Sequence, residues 1–206
     1  RLAGQAEHLP YLDRIRRQVD RLSALMADLL ELRKPVSPDK LKVLSLDELC
    51  AASVEAWTQS SPEPGDRLRM EASPRAGDMQ VEVDADRMTQ VLVNLLENAV
   101  QHSPDNGTVQ LSTGGCESQA GCACIRVRDR GSGIPPEHAD KVFDAFFTTR
   151  RAGSGLGLSL VKHIVEKHGG TIRLFNNDPG PGATAEIRLP LARQQAHRPA
   201  PTPVAP

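Results

Sequence analysis

The stretch RMTQVLVNLLENAVQHSP, residues 87–104, decides how the rest of the chain folds. Its apolar residues recur at helical spacing and predict one buried stripe, formed by Met88, Leu92, Leu95, Leu96 and Ala99. Asn94 and Asn98 are one helical turn apart, so both amides leave the helix on the same side, beside Glu97. Asparagine is a mediocre helix former, so the pair indicates either a solvated polar face or a binding function.

Three further segments favour the binding function. DRGSGI, residues 129–134, is an Asp-x-Gly-x-Gly turn that follows the strand-like CIRVR. VFDAFFTTR, residues 142–150, is rich in phenylalanine, and GSGLGLSLVKHIVEKHGG, residues 153–170, is a glycine-rich loop that continues into a helix. Glycine amides just before a helix N-terminus form an anion site, because the N–H groups and the helix dipole act together. The spacing is not that of the GxxxxGK[ST] phosphate loop, and it does not support a dinucleotide site.

Taken in this order, the four motifs resemble the ATP-binding domain of sensor histidine kinases, within the superfamily that includes gyrase B, Hsp90 and MutL. The resemblance extends from residue 44 to residue 191. It implies an α+β fold, a two-layer sandwich in which helices cover a mixed sheet, preceded by a long helix. It also implies that ATP and Mg²⁺ are the ligands of the site.

The resemblance assigns the metal and the phosphate chemistry to the first motif. Asn98 matches the family's metal-binding asparagine, and an amide oxygen is a hard ligand that suits Mg²⁺ shared with phosphates. Asn94 matches the second asparagine of that motif, and we expect Glu97 to assist transfer as a polarising group. These three residues are the expected catalytic residues.

The resemblance also assigns the adenine and the lid. Asp129 is expected to accept a hydrogen bond from the adenine amino group, while Gly131 and Gly133 let the backbone pass close to the base, next to Ile134. Residues 144–154 are expected to form a lid that closes on ATP. The further residues assigned to ATP are Phe143, Phe146, Thr149, Arg150, Gly153, Ser154, Gly155, Leu156, Gly157, Leu158 and Thr184.

The sequence departs from the family pattern at two positions, Gln101 and Ala145. Gln101 and His102, both also assigned to ATP, stand where many relatives have Lys and an aromatic residue or His. The lost positive charge can be supplied by Arg150 or Arg151. Ala145 replaces the family's proline between Phe143 and Phe146, which with Phe147 are the expected hinge and anchor, so we expect a looser hinge.

The same motif separates phosphotransfer from hydrolysis. ATP-hydrolysing relatives place a glutamate four residues before the metal asparagine, where it can activate water. Here that position is Asn94, whose amide cannot take up a proton, so hydrolysis is disfavoured as the main activity. Transfer of the γ-phosphate to a histidine needs positioning more than a strong base. We therefore expect a protein-histidine kinase, whose phosphate passes on to the receiver domain of a response regulator.

The acceptor histidine is not found by its motif. His8 is followed by Leu-Pro-Tyr-Leu, which does not match the family's acceptor motif, and for His163 and His168 a helix-face or capping role is expected. We expect the acceptor helix upstream of this chain, which would be part of a longer protein. Two alternatives remain open: a serine kinase of the anti-sigma-factor type, disfavoured by the N-terminal heptads, and a non-catalytic ATP-binding or dimerisation module, disfavoured by the intact motifs.

Residues 9–33 carry a heptad pattern of apolar residues: Leu12, Ile15, Val19, Leu22, Met26 and Leu29. The pattern predicts either a helix packed on the downstream domain or, as the resemblance favours, the second helix of a hairpin that forms a homodimer. The expected organisation is a hairpin part at 1–34, a linker at 35–41, a catalytic domain at 42–191 and a disordered proline-rich tail at 192–206.

Within the catalytic domain, strands are predicted at 42–46, 67–71, 79–83, 109–113, 122–128, 171–175 and 184–189. Asp47 is predicted to cap a helix that ends near Trp57, and Asp84 or Asp86 to cap the helix of residues 87–104. Gly169 and Gly170 are expected to end the last helix.

Composition sets the remaining limits. The formal net charge of −1 does not indicate a basic surface for nucleic acid or for an acidic membrane. No apolar run approaches the roughly 20 residues of a membrane-spanning helix, so we expect a cytoplasmic location without membrane contact, compatible with a membrane-anchored parent. The four cysteines form no C-x-x-C pair, and we expect them to be reduced; a regulatory thiol pair of Cys122 and Cys124 is the alternative.

Overall fold

The computed structural model describes residues 15–16, 18–19, 22–23, 25–27, 29–30, 37–60, 68–72, 79–116, 121–150 and 153–192. The helices from residue 37 onward are α1 (Leu46–Ser60), α2 (Ala85–His102) and α3 (Gly157–Lys167). The strands are β1 (Leu41–Ser45), β2 (Leu68–Ala72), β3 (Gln80–Asp84), β4 (Val109–Gly115), β5 (Cys122–Arg128), β6 (Thr171–Asn176) and β7 (Ala183–Pro190). Among the described residues, no helix is long and apolar enough to cross a membrane.

Most strands belong to one five-stranded sheet with the order β2-β4-β5-β7-β6. β2 and β4 are parallel while the other neighbours are antiparallel, so the sheet is mixed. β1 and β3 form a separate antiparallel pair. The three helices share one apolar core with the inner sides of β4, β5 and β7. The predicted α+β sandwich is therefore confirmed.

The amphipathic pattern of α2 explains its place in the sandwich. Met88, Leu92 and Leu96 are completely buried, whereas Asn94 and Asn98 on the other side are only partly covered. The side chain of Asp84 caps the helix by accepting a hydrogen bond from the backbone N–H of Arg87 at 3.3 Å, which settles the choice of cap. The helix ends just before Ser103 and Pro104, as expected for a residue preceding proline.

Two predictions about local structure are wrong. α1 begins at Leu46, so Asp47 lies inside the first turn rather than at the cap, and its carboxylate accepts a hydrogen bond from Thr113 Oγ1 at 3.0 Å. Cys116 and Cys122 form a disulfide rather than two thiols. The cause is the β4–β5 hairpin, which brings their Cα atoms to 5.4 Å, within the range that a disulfide spans. Cys50 and Cys124 are buried thiols.

The N-terminal segment is helical at each described position between residues 15 and 30. Its apolar side chains are exposed at the heptad positions that the structure describes, which are Ile15, Val19, Leu22, Met26 and Leu29. The described residues do not include Leu12, the remaining ends of residues 9–33 or the tail from residue 193. In the predicted linker, Pro38–Lys40 forms a 3-10 turn and Leu41 already belongs to β1. The domain boundaries stay predictions.

Candidate functional site

A cavity of about 860 Å³ opens between α2, the start of α3 and one end of the sheet. It brings together residues from all four sequence motifs, and most of the predicted site residues line it: Asn94, Glu97, Asn98, Gln101, His102, Asp129, Gly133, Ile134, Thr149, Arg150, Gly153, Ser154, Gly155, Gly157 and Leu158. Gln18 of the N-terminal helical segment also lines it.

A smaller group of predicted site residues does not line this cavity, namely Gly131, Phe143, Phe146, Leu156 and Thr184. Side chains alternate along a strand, and in β7 it is Ala183 and Ala185 that face the cavity. Thr184 between them faces the other side of the sheet, where its hydroxyl donates a hydrogen bond to Asn177 Oδ1 at 2.6 Å.

Backbone amides hold the carboxylate of Asp129, which lines the cavity. Its Oδ1 accepts hydrogen bonds from the N–H groups of Gly131 at 2.8 Å and Ala183 at 3.0 Å. The Asp129 N–H in turn donates to the Ala183 carbonyl at 2.9 Å. Since Oδ1 is committed to these amides, Oδ2 is the oxygen that can accept a hydrogen bond from a ligand's amino group.

Gly131 has a different role from the one predicted for it. A Cβ atom at this position would lie 2.4 Å from the carbonyl oxygen of His102, the last residue of α2. The glycine therefore lets the Asp129 turn pass against the end of the helix, whereas the residue that lines the cavity is Gly133.

The part of the cavity beside the start of α3 suits phosphate groups. α3 begins at Gly157 with no hydrogen bond from a capping side chain, and Gly157 and Leu158 of its first turn line the cavity. The amide of Asn98 lies beside this helix start, with Nδ2 3.9 Å from the position that a Gly157 Cβ would take. Among the described residues, no three His, Cys, Asp or Glu side chains cluster as a metal site. A donor set of one amide fits Mg²⁺ that takes its remaining ligands from phosphates and water.

Arg150 brings a positive charge to the cavity. Its Nη1 donates a hydrogen bond to Gln101 Oε1, at the position of α2 where many relatives have lysine. Burial raises the pKa of the nearby Glu97, and the charge of Arg150 opposes that rise. Of the two arginines proposed to replace the lysine, Arg150 therefore lies in the site, while Arg151 is outside the described residues.

Aromatic contacts hold the segment between Ile134 and the glycine-rich loop. The ammonium group of Lys162 on α3 lies 5.8 Å from the ring centroid of Phe143, and His138 meets Phe147 edge-on at 5.3 Å. The Phe146 N–H donates to the Gly155 carbonyl at 2.9 Å, although the Phe146 side chain is exposed. His138 and Phe147 also line the cavity. His138 is not among the site residues that the sequence predicts.

Two further residues escaped prediction, the adjacent Asn176 and Asn177 at the end of β6. Their side chains hydrogen-bond the backbone of Ile134 and Asp129, respectively. The only local signal is the Asn-Asn-Asp-Pro-Gly sequence, which predicts a turn and gives no hint of a site.

The cavity thus combines a carboxylate at a strand end, a metal-compatible amide on a helix and an uncapped helix start behind a glycine-rich loop. Residues 83–193 match the sequence profile of the family described as histidine kinase-, DNA gyrase B- and HSP90-like ATPase, and the chain belongs to that family. Its nucleotide-binding fold is the catalytic ATPase domain of sensor histidine kinases.

Three relatives illustrate the similarity of this chain to known proteins. The sensor histidine kinase ZraS of Escherichia coli (strain K12) is 36% identical over 188 residues, which are 91% of this chain and 38% of ZraS. Full-length ShkA in complex with AMPPNP superposes with a TM-score of 0.70 at 26% identity, covering 90% of this chain and 39% of ShkA. The histidine kinase ThkA in complex with the response regulator protein TrrA gives a TM-score of 0.70 at 25% identity, covering 89% of this chain and 51% of ThkA. The chain therefore spans well under half the length of ZraS.

Proposed function

We propose that this chain is the phosphodonor part of a two-component sensor histidine kinase, which transfers the γ-phosphate of Mg-ATP to a histidine outside residues 1–206. The observation that carries the proposal is the geometry of the cavity. The Asp129 carboxylate lines the same cavity as Asn98, Arg150 and the start of α3. A nucleoside triphosphate needs both kinds of group in one cavity, because its base and its phosphates require different chemistry.

Asp129 recognises the base. Its Oδ2 accepts a hydrogen bond from the adenine amino group, while the two amide bonds to Oδ1 keep the carboxylate in one orientation. Ile134 and Leu158 line the same cavity and offer apolar surface to the ring. A charge-assisted hydrogen bond of this kind is stronger than one between neutral groups.

Asn98, the first turn of α3 and Arg150 receive the triphosphate. Asn98 would hold Mg²⁺, which when bound neutralises the charge that develops on the transferred phosphoryl group. The N–H groups at the start of α3 and the guanidinium of Arg150 bind further phosphate oxygens. Asn94 and Glu97 line the cavity one turn and one residue before Asn98, where Glu97 can polarise the incoming nucleophile.

Phosphotransfer is favoured over hydrolysis by the chemistry of Asn94. This residue occupies the place where a general base for water is required in hydrolysing relatives, and an amide cannot accept the proton. In the transfer step, an unprotonated nitrogen of the acceptor imidazole forms a bond to the γ-phosphorus while the bond to the bridging oxygen breaks. ADP leaves with that oxygen, and the proton on the other ring nitrogen passes to solvent. Positioning of the two reactants contributes most to such a step.

Two protein partners are part of the proposal. ThkA, with a TM-score of 0.70 to this chain, forms a complex with a response regulator protein, which supports a response regulator as the final acceptor here. The exposed heptad side chains between Ile15 and Leu29 support homodimerisation through residues 9–33. The acceptor-bearing helix of the same kinase would complete the dimerising hairpin.

Transfer in trans tests the proposed function. The chain is incubated with Mg-ATP and a separately produced helical hairpin that carries the family's acceptor motif. We expect acid-labile phosphate on the hairpin, and none with Asp129→Ala or Asn98→Ala, while Asn106→Ala, an exposed control after α2, keeps the activity. Binding of ATP without any transfer would favour the non-catalytic module. Acid-labile phosphate on the chain itself that disappears in His8→Ala would place the acceptor within this chain.

A further inference from the structure

The turn between β6 and β7 lies directly against the turn that carries Asp129. In the sheet, β7 separates β6 from β5, and Asn176 at the end of β6 pairs with Ala183 of β7. The same Ala183 bonds with Asp129 through both backbone groups. Residues 176 and 177 are therefore one strand away from the adenine-recognising carboxylate, although they lie far from it in the sequence.

The side chain of Asn176 holds both backbone groups of Ile134. Its Oδ1 accepts a hydrogen bond from the Ile134 N–H at 2.6 Å, and its Nδ2 donates to the Ile134 carbonyl at 3.0 Å. The amide thus acts as a neighbouring strand would, by pairing with the donor and the acceptor of a single residue. Since Ile134 lines the cavity, this contact sets the position of one wall.

The side chain of Asn177 is saturated with hydrogen bonds. Its Nδ2 donates to the carbonyls of Asp129 at 2.9 Å and Pro181 at 2.7 Å, and its Oδ1 accepts from the Thr184 hydroxyl at 2.6 Å. Both amide hydrogens and the amide oxygen are therefore engaged, so the side chain has one orientation. The β6–β7 turn is also packed tightly against Asp129, because a Cβ atom at Gly182 would lie 2.2 Å from the Asp129 carbonyl oxygen.

We propose that Asn176 and Asn177 are positioning residues that make the site selective for a base with an exocyclic amino group. This inference rests on the proposed function. Only one carboxylate oxygen of Asp129 can meet the base, because the other is held by the Gly131 and Ala183 amides. A hydrogen bond weakens steeply with distance and angle, so a small displacement of the Asp129 backbone costs the amino-group contact first.

The experiment compares ATP with ITP, whose base carries an oxygen in place of the adenine amino group. Calorimetry of the whole chain with Mg²⁺ gives both dissociation constants for the wild type, Asn176→Ala and Asn177→Ala, with Asn106→Ala as the matched control. We expect ATP affinity to fall about tenfold in both variants, because the hydrogen bond between the adenine amino group and the charged Asp129 carboxylate is lost. ITP affinity should change by less than about threefold, and Asn106→Ala should leave both constants unchanged.

Conservative variants separate positioning from general stability. Asn177→Asp keeps the acceptor for Thr184 and loses the donors to Asp129 and Pro181, so it should reproduce the loss seen with alanine. Asn176→Asp keeps the acceptor for the Ile134 N–H and should fall between alanine and wild type. These two substitutions preserve side-chain volume, and circular dichroism checks that the variants are folded.

The outcomes distinguish this inference from the proposed function. The ratio of ATP to ITP affinity can stay unchanged in the folded variants, either because neither dissociation constant changes or because both rise by the same factor. This result would mean that the two asparagines are only structural, and it would overturn this inference but not the proposed function. A wild-type chain that binds neither nucleotide would overturn the proposed function and this inference with it. A lower ratio in the variants, together with a wild-type preference for ATP, supports both.

Discussion

His168 Nε2 accepts a hydrogen bond from the backbone N–H of Asp84 at 3.1 Å, joining the end of α3 to the start of α2. On its other side, Nδ1 lies 2.8 Å from the carbonyl of Ile164, to which it donates. This arrangement requires the neutral tautomer with the proton on Nδ1, because Nε2 must offer a lone pair. α2 and α3, which both line the cavity, are therefore linked at one buried histidine.

We expect His168→Ala to destabilise the domain. The substitution leaves the buried Asp84 N–H without its acceptor, which costs about 1–3 kcal/mol, and it also removes buried side-chain volume. His163→Ala on the same helix is the matched control and should change the free energy of unfolding by less than about 0.5 kcal/mol. Urea unfolding followed by circular dichroism measures both, and equal midpoints for the two variants would show that the link contributes nothing.

Local patterns in the sequence were sufficient for much of the fold. α2 combines an apolar stripe, an aspartate cap and a proline stop within twenty or so residues, and each of these signals acts over a single helical turn. The same holds for α3, which ends at Lys167, two residues before a glycine, Gly169, that adopts a positive φ. These are the elements that carry Asn98 and follow the glycine-rich loop.

What escaped prediction depends on contacts between distant parts of the chain. Asn176 reaches Ile134 across 42 positions, and only the strand order β5-β7-β6 brings them together. The direction of Thr184 depends on the register of β7, since a shift by one residue exchanges the two faces of a strand. The disulfide of Cys116 and Cys122 was missed because the prediction used cellular compartment instead of the geometry of the β4–β5 hairpin.

Glu186 provides a prediction with a pH dependence. Its carboxylate is 3% exposed and receives hydrogen bonds from Arg173 at 2.6 Å, Arg126 at 2.8 Å and Arg188 at 2.8 Å. Burial by itself would raise the pKa of Glu186, but these bonds outweigh it and lower the pKa to about 2. The ionised form therefore stabilises the folded sheet at neutral pH.

We expect Glu186→Gln to lower the free energy of unfolding at pH 7 by about 2 kcal/mol, since charged hydrogen bonds are replaced by neutral ones. Because the folded pKa is depressed, the stabilisation is complete above the ordinary pKa of 4.5 and is lost as the pH falls towards 2. The difference between wild type and variant in urea unfolding should therefore shrink below pH 4.5. Glu166→Gln, exposed on α3, is the control, and a difference independent of pH would contradict the assignment.

Arg150 should set the affinity for the terminal phosphate. Its hydrogen bond to Gln101 holds the guanidinium beside α2, where both residues line the cavity. We expect Arg150→Ala to weaken ATP binding about tenfold and ADP binding much less, because a charge-assisted contact to the γ-phosphate is lost. Lys141→Ala removes an exposed positive charge outside the cavity and should change neither. Calorimetry with both nucleotides decides, and an unchanged ratio of ATP to ADP affinity in Arg150→Ala would remove this residue from the phosphate site.

The N-terminal helical segment should pair two chains. Val19 is 54% exposed, Leu22 59% and Met26 64%, although they follow the heptad spacing of a buried seam. Each such side chain contributes roughly 1.5–3 kcal/mol when it becomes fully buried, so a stripe of them favours association.

Replacing Val19 and Leu22 together by aspartate should therefore give monomers that still bind Mg-ATP, because neither residue lines the nucleotide cavity. Ala27→Asp, an exposed position outside the heptad seam, should leave the dimer intact. Sedimentation velocity at micromolar concentrations measures the association, and calorimetry confirms that the nucleotide site survives. A wild-type chain that sediments as a monomer across this range would mean that the stripe is covered by a different partner.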